Sequence, residues 1–579
     1  MNEHRDLTLE HILYALALLI GMVLRFINLG DLPLSDFEAT GAYQAWQIVQ
    51  GQQPDLGANP AYVHLTAVIF FVTGATNTLA RFIPTLAGSM LVLLPWGLRD
   101  RIGRAAAILL AFGLALDPGL VAVSRLAGGG MLAVTFTLLA IAMWMKKRDA
   151  LAGFFAGMAV LSGPAVWSGL VIVAAYRGLV RLLSTRKSGQ EQQSQSPVGP
   201  VPAPEGLPAD RLTRAIAWGL GSLFLVGSLF VLSPKGLSAF AGTIVEYVIG
   251  WWLPSGVPVW QVLLALPAYE LFPLIFGIAA MIRGLRKKDW LTSQLSLVTL
   301  VALVLVLAYP GRQTGDLVWG IIPLWVLTVR ELGQHFDFAG RSPWEVGGVM
   351  VVTVVILVFA WLNLASLINL TITSETGQVR LFMIIGILLL WVLSLLLIAS
   401  GWSAAIARLG VVWGGVLFLS FFTVSMATFA AGLHYPRTVE LWSRGSVITD
   451  ADLVLQTAEE LSLWNTGHKT QLPVTILNLD APSLRWLFRD WQVEEKAALA
   501  VTDTPALIIA AFDSAINLQV PYRGQDFVWQ RAPAWQGRTP EERLRWLIYH
   551  RLPAEDELIL FWARADLMLD SQGLPAPPR

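Results

Sequence analysis

The stretch "NPAYVHLTAVIFFVTG" (residues 59–74) decides how the rest of the chain is laid out. It is apolar enough to enter a bilayer but too short to cross one, since a spanning helix needs about 20 apolar residues. If it did cross, everything after it would change sides. The basic residues argue against that. With the N-terminus in the cytoplasm and 59–74 kept as a re-entrant or interfacial helix, "RDRIGR" (99–104), "KKRD" (146–149), the 184–214 loop and "RGLRKKD" (283–289) all lie inside. Of the 26 Lys and Arg residues before position 434, about twenty then face the cytoplasm and six the outside, as the positive-inside rule requires.

The composition supports a multi-pass reading. The chain of 579 residues is 55% hydrophobic and 14% charged, with a mean hydropathy of +0.60, values that point to a polytopic membrane protein; the cytoplasmic (inner) membrane is its expected location. Apolar runs place about thirteen spans, at 11–28, 79–98, 104–123, 130–146, 150–163, 166–183, 213–232, 259–282, 291–309, 315–330, 345–367, 379–400 and 404–432. The 24 Trp residues suit a large interfacial surface. Zero net charge with no basic domain gives no sign of nucleic-acid binding, and the absence of Cys excludes disulfides and thiolate chemistry. Tyr14 to Ile27 has no small-residue cleavage site, so it reads as a retained span.

Two regions differ in character. Residues 184–212, rich in Gln, Ser and Pro, read as a disordered cytoplasmic linker. Residues 434–579 carry strand and helix signals: "LPVTILNL", "ALIIAAF", a helix "TPEERLRWLIYH" with a capping box at Thr539 and Glu542, then "ELILFWARADL". The expected organisation is a transmembrane domain over 1–433, with an acid-bearing outer loop at 29–78, and an extracytoplasmic α/β domain over 434–579.

Several stretches carry a resemblance. "SDFEATGAYQAWQIVQG" follows the first span, then come the 59–74 segment, "LARFIPTLAGSMLVLLPWGLRDRIGR" and "LALDPGLVAVSRLAGGGMLAVTFTLLAIAMW"; "APSLRWLFRDW" (481–491) lies in the tail. Together they resemble the C-type (GT-C) membrane glycosyltransferase superfamily, in particular bacterial family 39-like members akin to protein O-mannosyltransferases and aminoarabinose transferases. That resemblance implies a GT-C fold and transfer of a sugar from a polyprenyl-phosphate carrier to a glycan, lipid or protein acceptor on the outer face, among membrane lipids. It also leaves room for a divalent metal ion, although no metal constellation is seen in the sequence. An acid in the first outer loop acts on the acceptor in that superfamily. Glu38-Ala39 matches the second acid of the usual Asp-Glu-Ala and its neighbour, Phe37 stands where the first acid belongs, and Asp36 lies one position early. After Ser124-Arg125, where another acid is common, the chain reads Gly128-Gly129-Gly130. These departures motivate an alternative, a catalytically degenerate lipid-binding or scaffold subunit of the same fold; a transporter fits less well, with few ionisable residues mid-span.

The candidate residues each have a plainer reading. Ser35 and Glu38 have capping-box spacing, and Ala39, Ala42, Tyr43, Trp46 and Val49 form an apolar face that predicts a helix lying flat on the membrane. Asp36 or Glu38 is expected to act as general base. Arg125 and Arg312 are expected on the carrier phosphate, against snorkelling or turn roles, and Arg81 reads as a membrane anchor or phosphate contact. Tyr309 stands beside Arg312 at the mouth of a span. Trp251 belongs to an aromatic belt or a sugar-stacking wall. His64 is the histidine near the proposed site, as a packing residue or a ligand.

Overall fold

The structure, a computed structural model, describes residues 9–191, 209–336, 342–368, 370, 374–434, 440–442, 445–514, 516, 518–535, 539–550 and 553–568. Apolar runs bounded by Gly, Pro and capping residues become helices α1 (Leu9–Phe26), α2 (Asp36–Val49), α3 (Pro60–Thr73), α4 (Asn77–Leu91), α5 (Leu94–Ile102), α6 (Arg104–Leu116), α7 (Pro118–Ser124), α8 (Gly130–Met145), α9 (Asp149–Leu161) and α10 (Ala165–Glu191). After residue 208 come α11 (Ala209–Gly227), α12 (Lys235–Ile249), α13 (Val259–Tyr269), α14 (Leu271–Lys287), α15 (Trp290–Ala308), α16 (Val318–Gly333), α17 (Pro343–Leu367), α18 (Glu375–Ile398) and α19 (Ala404–Ala430). Each of the thirteen segments read as spans is met by helix.

Helix length does not establish a count of thirteen. Among the described residues six helical segments are long and apolar enough to cross a membrane, or up to eight if each of two bent pairs is one span. Helices α8 and α9, of 16 and 13 residues, are too short for that test. The protein is an integral membrane protein. The bends sit where acids interrupt apolar sequence. Between α6 and α7 the chain turns by 55° at Asp117-Pro118, where Asp117 Oδ1 accepts the Leu120 amide at 2.6 Å and caps the new helix. Between α13 and α14 it turns by 92° at Glu270, which accepts the Gly119 amide at 3.1 Å. Both acids are fully buried, and Trp325 Nε1 donates to Asp117 Oδ2 at 2.6 Å. The sequence reading gave neither a role.

Helix α3 is buried through its first half, at Tyr62, Val63 and His64, and again at Phe70, while Phe71 and Val72 are exposed. The stretch read as a linker at 184–212 is helical at both ends, because α10 runs on to Glu191 and α11 starts at Ala209; its middle, 192–208, lies outside the described residues. Ion pairs Arg99–Glu10 (3.1 Å), Arg211–Asp149 (2.5 Å) and Arg330–Asp289 (2.8 Å) join the loops at one end of the bundle. Hydrogen bonds from Thr292 and then Arg330 hold the Asp289 carboxyl down at about 2.

The C-terminal part sits at the opposite end. Its elements are β1 (Val447–Ile448), α20 (Ala451–Thr466), β2 (Val474–Leu477), α21 (Pro482–Leu487), β3 (Val493–Lys496), β4 (Leu507–Ala511), β5 (Tyr522–Pro533), α22 (Pro540–Tyr549) and β6 (Ala554–Arg564). They form one six-stranded sheet in the order β1-β5-β6-β4-β2-β3. Strand β2 pairs in parallel with β3 and β4, while β6 runs antiparallel to β4 and β5. The capping box expected at Thr539 and Glu542 is present. Trp546 of α22 and Trp442 are buried with Tyr269 and Trp325 in the core of the helical bundle, not in that of the sheet.

Candidate functional site

Helix α2 organises the end of the bundle nearest the sheet. It begins at Ser35, whose backbone is extended, and stops before Gly51, which takes a positive φ of 76°. Its small residues Ala39, Ala42 and Ala45 are buried with Tyr62, Val63 and Trp486. At Gly41 a Cβ would lie 2.8 Å from the Tyr62 ring, so only glycine allows this approach to α3. The sequence pattern predicted a helix lying on the membrane; instead α2 is sandwiched between α3 and α21, and Tyr43 and Trp46 stack on one another at 5.5 Å. An apolar face marks burial but does not say against what.

Glu38 is 3% exposed and held from every side. Arg81 donates Nε to Oε1 at 2.8 Å and Nη2 to Oε2 at 2.7 Å, a two-pronged fork. The Ala127 amide reaches Oε1 at 2.9 Å and the Ser35 amide reaches Oε2 at 3.2 Å. Burial raises its carboxyl, but the Arg81 charge and these donors outweigh burial and hold it below the ordinary range. Arg81 extends its remaining donors to the carbonyls of Leu29, Leu32 and Pro33 at 3.0, 2.8 and 3.1 Å. The pair therefore fastens the loop after α1 to α4 and to the α7–α8 junction.

Asp36 points the other way. Its Oδ1 accepts the Ser483 amide at 2.9 Å and the Ser483 hydroxyl at 2.5 Å, and its Oδ2 accepts from Gln530 Nε2 at 2.6 Å. Pro482 occupies the first turn of α21, so Asp36 supplies a negative charge to that helix start from another part of the chain. Around it, Trp486 Nε1 donates to Asn77 Oδ1 at 2.8 Å and Arg489 Nη2 to the Ala75 carbonyl at 3.0 Å. The "APSLRWLFRDW" stretch is thus one surface by which the C-terminal part docks onto the bundle.

Arg125 caps the end of α1, with Nη1 on the carbonyls of Leu24, Arg25 and Ile27 at 3.2, 3.0 and 2.7 Å. It also lines a cavity of about 160 Å³ together with Arg81, Glu38, His434, Glu440 and Trp442. Burial, then the nearby Arg81 charge, lower its guanidinium to about 10. Next to it the two sequence departures turn out to be one. A Cβ on Gly128 would stand 3.2 Å from the Phe37 ring, so the aromatic ring occupies the room beside that glycine. At Gly129 a side chain would run into the Ser162 carbonyl and the Asn59 amide group.

Phe37 is also a shared wall of a groove. One cavity of about 420 Å³ lies between α2 and the sheet, lined by Thr40, Tyr43, Gln44, Asp55, Arg485 and Glu495. A second, of about 190 Å³, shares Thr40 and Gln44 with it and reaches Phe37, Asn59, Gly128 and Glu246. A third, of about 320 Å³, shares Phe37 and Glu246 with the second and continues to Tyr247, Tyr309, Gln313 and Asp316. Tyr309 stacks on Tyr247 at 5.0 Å and donates its hydroxyl to the Tyr247 carbonyl at 2.9 Å. Trp251 meets Tyr309 edge-on at 5.2 Å. Arg312 donates to the Val257 carbonyl at 3.1 Å and lines none of the cavities described here. His64 is fully buried and its Nδ1 lies 2.8 Å from the Val226 carbonyl, a packing position away from the groove. Of the expected residues the structure gathers Glu38, Arg81 and Arg125 at one cavity, puts Tyr309 and Trp251 beside the groove, and leaves His64 and Arg312 apart. Glu246, which the second and third cavities share, lies in a stretch that the sequence reading took as an aromatic belt or a sugar-stacking wall. Among the described residues no three metal-ligating side chains come together.

No family model matches the chain, and no curated protein does so convincingly. Among solved structures it is similar to ArnT from Cupriavidus metallidurans bound to undecaprenyl phosphate, at 14% identity and a TM-score of 0.54, covering 98% of this chain and 99% of that one. The apo state of the same protein gives 13% identity and a TM-score of 0.52 over 86% and 93%. An oligosaccharyltransferase of Archaeoglobus fulgidus aligns at 12% identity and a TM-score of 0.42, over 86% of this chain and 68% of its own. The helical bundle with its docked C-terminal sheet has the fold that ArnT has.

Proposed function

We propose that the protein is a membrane glycosyltransferase that moves a sugar from a polyprenyl-phosphate carrier to an envelope glycan, lipid or protein. The reaction would take place on the outer face of the inner membrane, with the N-terminus cytoplasmic and residues 434–579 extracytoplasmic. The observation that carries this reading is the groove bordered by α2, α12 and the loop before α16, at the sheet end of a bundle that follows ArnT from end to end. The ArnT structure holds undecaprenyl phosphate, which makes a carrier of that class the donor to try. Arg125, beside the 160 Å³ cavity, is the cation we assign to the carrier phosphate. Asp36 and Glu38 fit anchoring better than base catalysis, because their carboxylates are engaged by Ser483 and Gln530, and by Arg81.

The same two anchors, with Phe37 in place of an acid, favour a second reading: a GT-C subunit that binds the carrier lipid without turning it over. One experiment separates the two. Purified protein is incubated with a lipid and glycan extract of its host membrane, and lipid-linked sugars are followed by mass spectrometry. Loss of one such lipid, with matching gain of free polyprenyl phosphate, is expected for the enzyme. A polyprenyl phosphate that co-purifies while no lipid-linked sugar is consumed would establish the binding subunit instead.

A further inference from the structure

Resting on the glycosyltransferase reading, we propose that Tyr247 on α12 is a specificity-determining residue. Its hydroxyl meets a ring hydroxyl of the transferred sugar, a saccharide without negative charge, seated in the third cavity. Tyr247 is 6% exposed and lines that cavity of about 320 Å³. Its hydroxyl has no hydrogen-bond partner, since Ser168 and Trp251 stand beside it without closing a bond. A buried hydroxyl left unpaired weakens a fold, so one that faces a cavity is satisfied when a ligand supplies the bond. Among the described side chains buried with an unpartnered polar atom, only Tyr247, His434 and Trp442 line a cavity described here. The last two share theirs with Arg81 and Arg125. The Tyr247 ring is held in place by Tyr309, stacked on it at 5.0 Å. Gly250 leaves the room that Tyr309 needs, because a Cβ there would lie 2.0 Å from the Tyr309 hydroxyl.

The lining decides the class of ligand. Ser168 and Gln313 offer neutral polar groups, and the Phe37 ring offers an apolar face against which a sugar ring packs. No Lys, Arg or His lines this cavity, while Glu246 and Asp316 do. A phosphate or a uronate here would meet two acidic side chains and no counter-charge. The cations stand elsewhere, at the cavity of Arg81 and Arg125. A small cavity of about 10 Å³ shares Leu126 with that one and Phe37 with the third. Leu126 and Phe37 thus stand between a seat for phosphate and a seat for an uncharged or basic sugar.

The test uses the purified full chain and four probes: the methyl glycosides of glucose, galactose, mannose and glucuronic acid. Saturation-transfer NMR reads binding, the extract assay reads turnover, and thermal unfolding is followed on the same samples. Wild type is expected to bind at least one neutral glycoside and not the glucuronate. Tyr247→Phe is expected to raise the Kd of that glycoside about 2- to 10-fold, the range of one neutral hydrogen bond. Consumption of lipid-linked sugar should slow by a similar factor in dilute extract and recover in concentrated extract, a KM effect. Since the hydroxyl has no protein partner, the variant should unfold at the wild-type temperature or above it. A lower unfolding temperature with binding unchanged would show a structural tyrosine and overturn the inference. Equal binding of the glucuronate overturns it too, as does a wild type that consumes lipid-linked sugar but binds no neutral glycoside. If a neutral glycoside binds through Tyr247 while no lipid-linked sugar is consumed, the saccharide seat stands and the enzyme reading falls.

Discussion

The two sides of α2 use similar residues for opposite ends. Toward α4 and the sheet, Glu38 and Asp36 accept from several donors and fix backbone. Toward α12, Phe37, Thr40 and Gln44 line open space. The difference teaches that an acid in a motif-like position is informative only once its partners are known, because a carboxylate fully engaged by Arg and amides is a fastening before it is a base.

The largest effect should come from breaking the fastened side. Removing one partner of a buried pair costs about 3–5 kcal/mol, so Arg81→Ala and Glu38→Ala should each lower the unfolding midpoint in detergent markedly. The double variant should cost less than the two together. Strictly additive losses would mean the pair does not act as a unit. Next, Asp36→Ala should cost about 1–3 kcal/mol and speed amide exchange in α21 and α2 while leaving the far ends of the bundle unchanged. Uniform exchange would show that Asp36 does not hold the sheet in place.

A smaller effect sharpens the contrast through pH. The Glu38 carboxyl lies below its unfolded value, so its contribution is full above the unfolded value of about 4.3 and is lost as pH falls through the lower folded value. Glu38→Gln should therefore remove part of the wild type's stability loss on acidification below about pH 4.3; an unchanged acid limb would assign that loss elsewhere. Smallest of all, Phe37→Ala on the open side should cost about 1–2 kcal/mol, since its half-exposed ring contributes less than a core phenylalanine, while enlarging the groove. A cost matching Arg81→Ala would show that Phe37 belongs to the fastening.

Much of the fold was legible from the residues. Apolar length marked the thirteen segments read as spans, each met by helix, and apolar runs with a Thr-x-x-Glu cap marked β2, β4, α22 and β6, while α20 went unread. What escaped was partnership across the chain. Arg81 and Glu38 are 43 positions apart and Asp36 and Ser483 are 447 apart, and no periodicity links such residues. Spacing within α2 suggested only the local cap, which is present, with the Ser35 amide bonded to Glu38. Asp117 and Glu270 escaped for another reason. Each is a single acid in an apolar run and weighs little in a hydropathy window, although a proline lies beside one and three positions beyond the other, the pattern of a bent helix.

The contact between Phe37 and Gly128 ties together two positions that the sequence shows only as separate losses. A side chain at the second position would crowd the ring at the first, so bulk there requires the ring to give way. Chains of this fold should accordingly sort into two groups: those with a large ring at the first position and glycine at the second, and those with smaller or charged residues at both. A survey of paired states at these positions would then separate chains that keep an acid at the first position from chains, like this one, that carry an aromatic ring there.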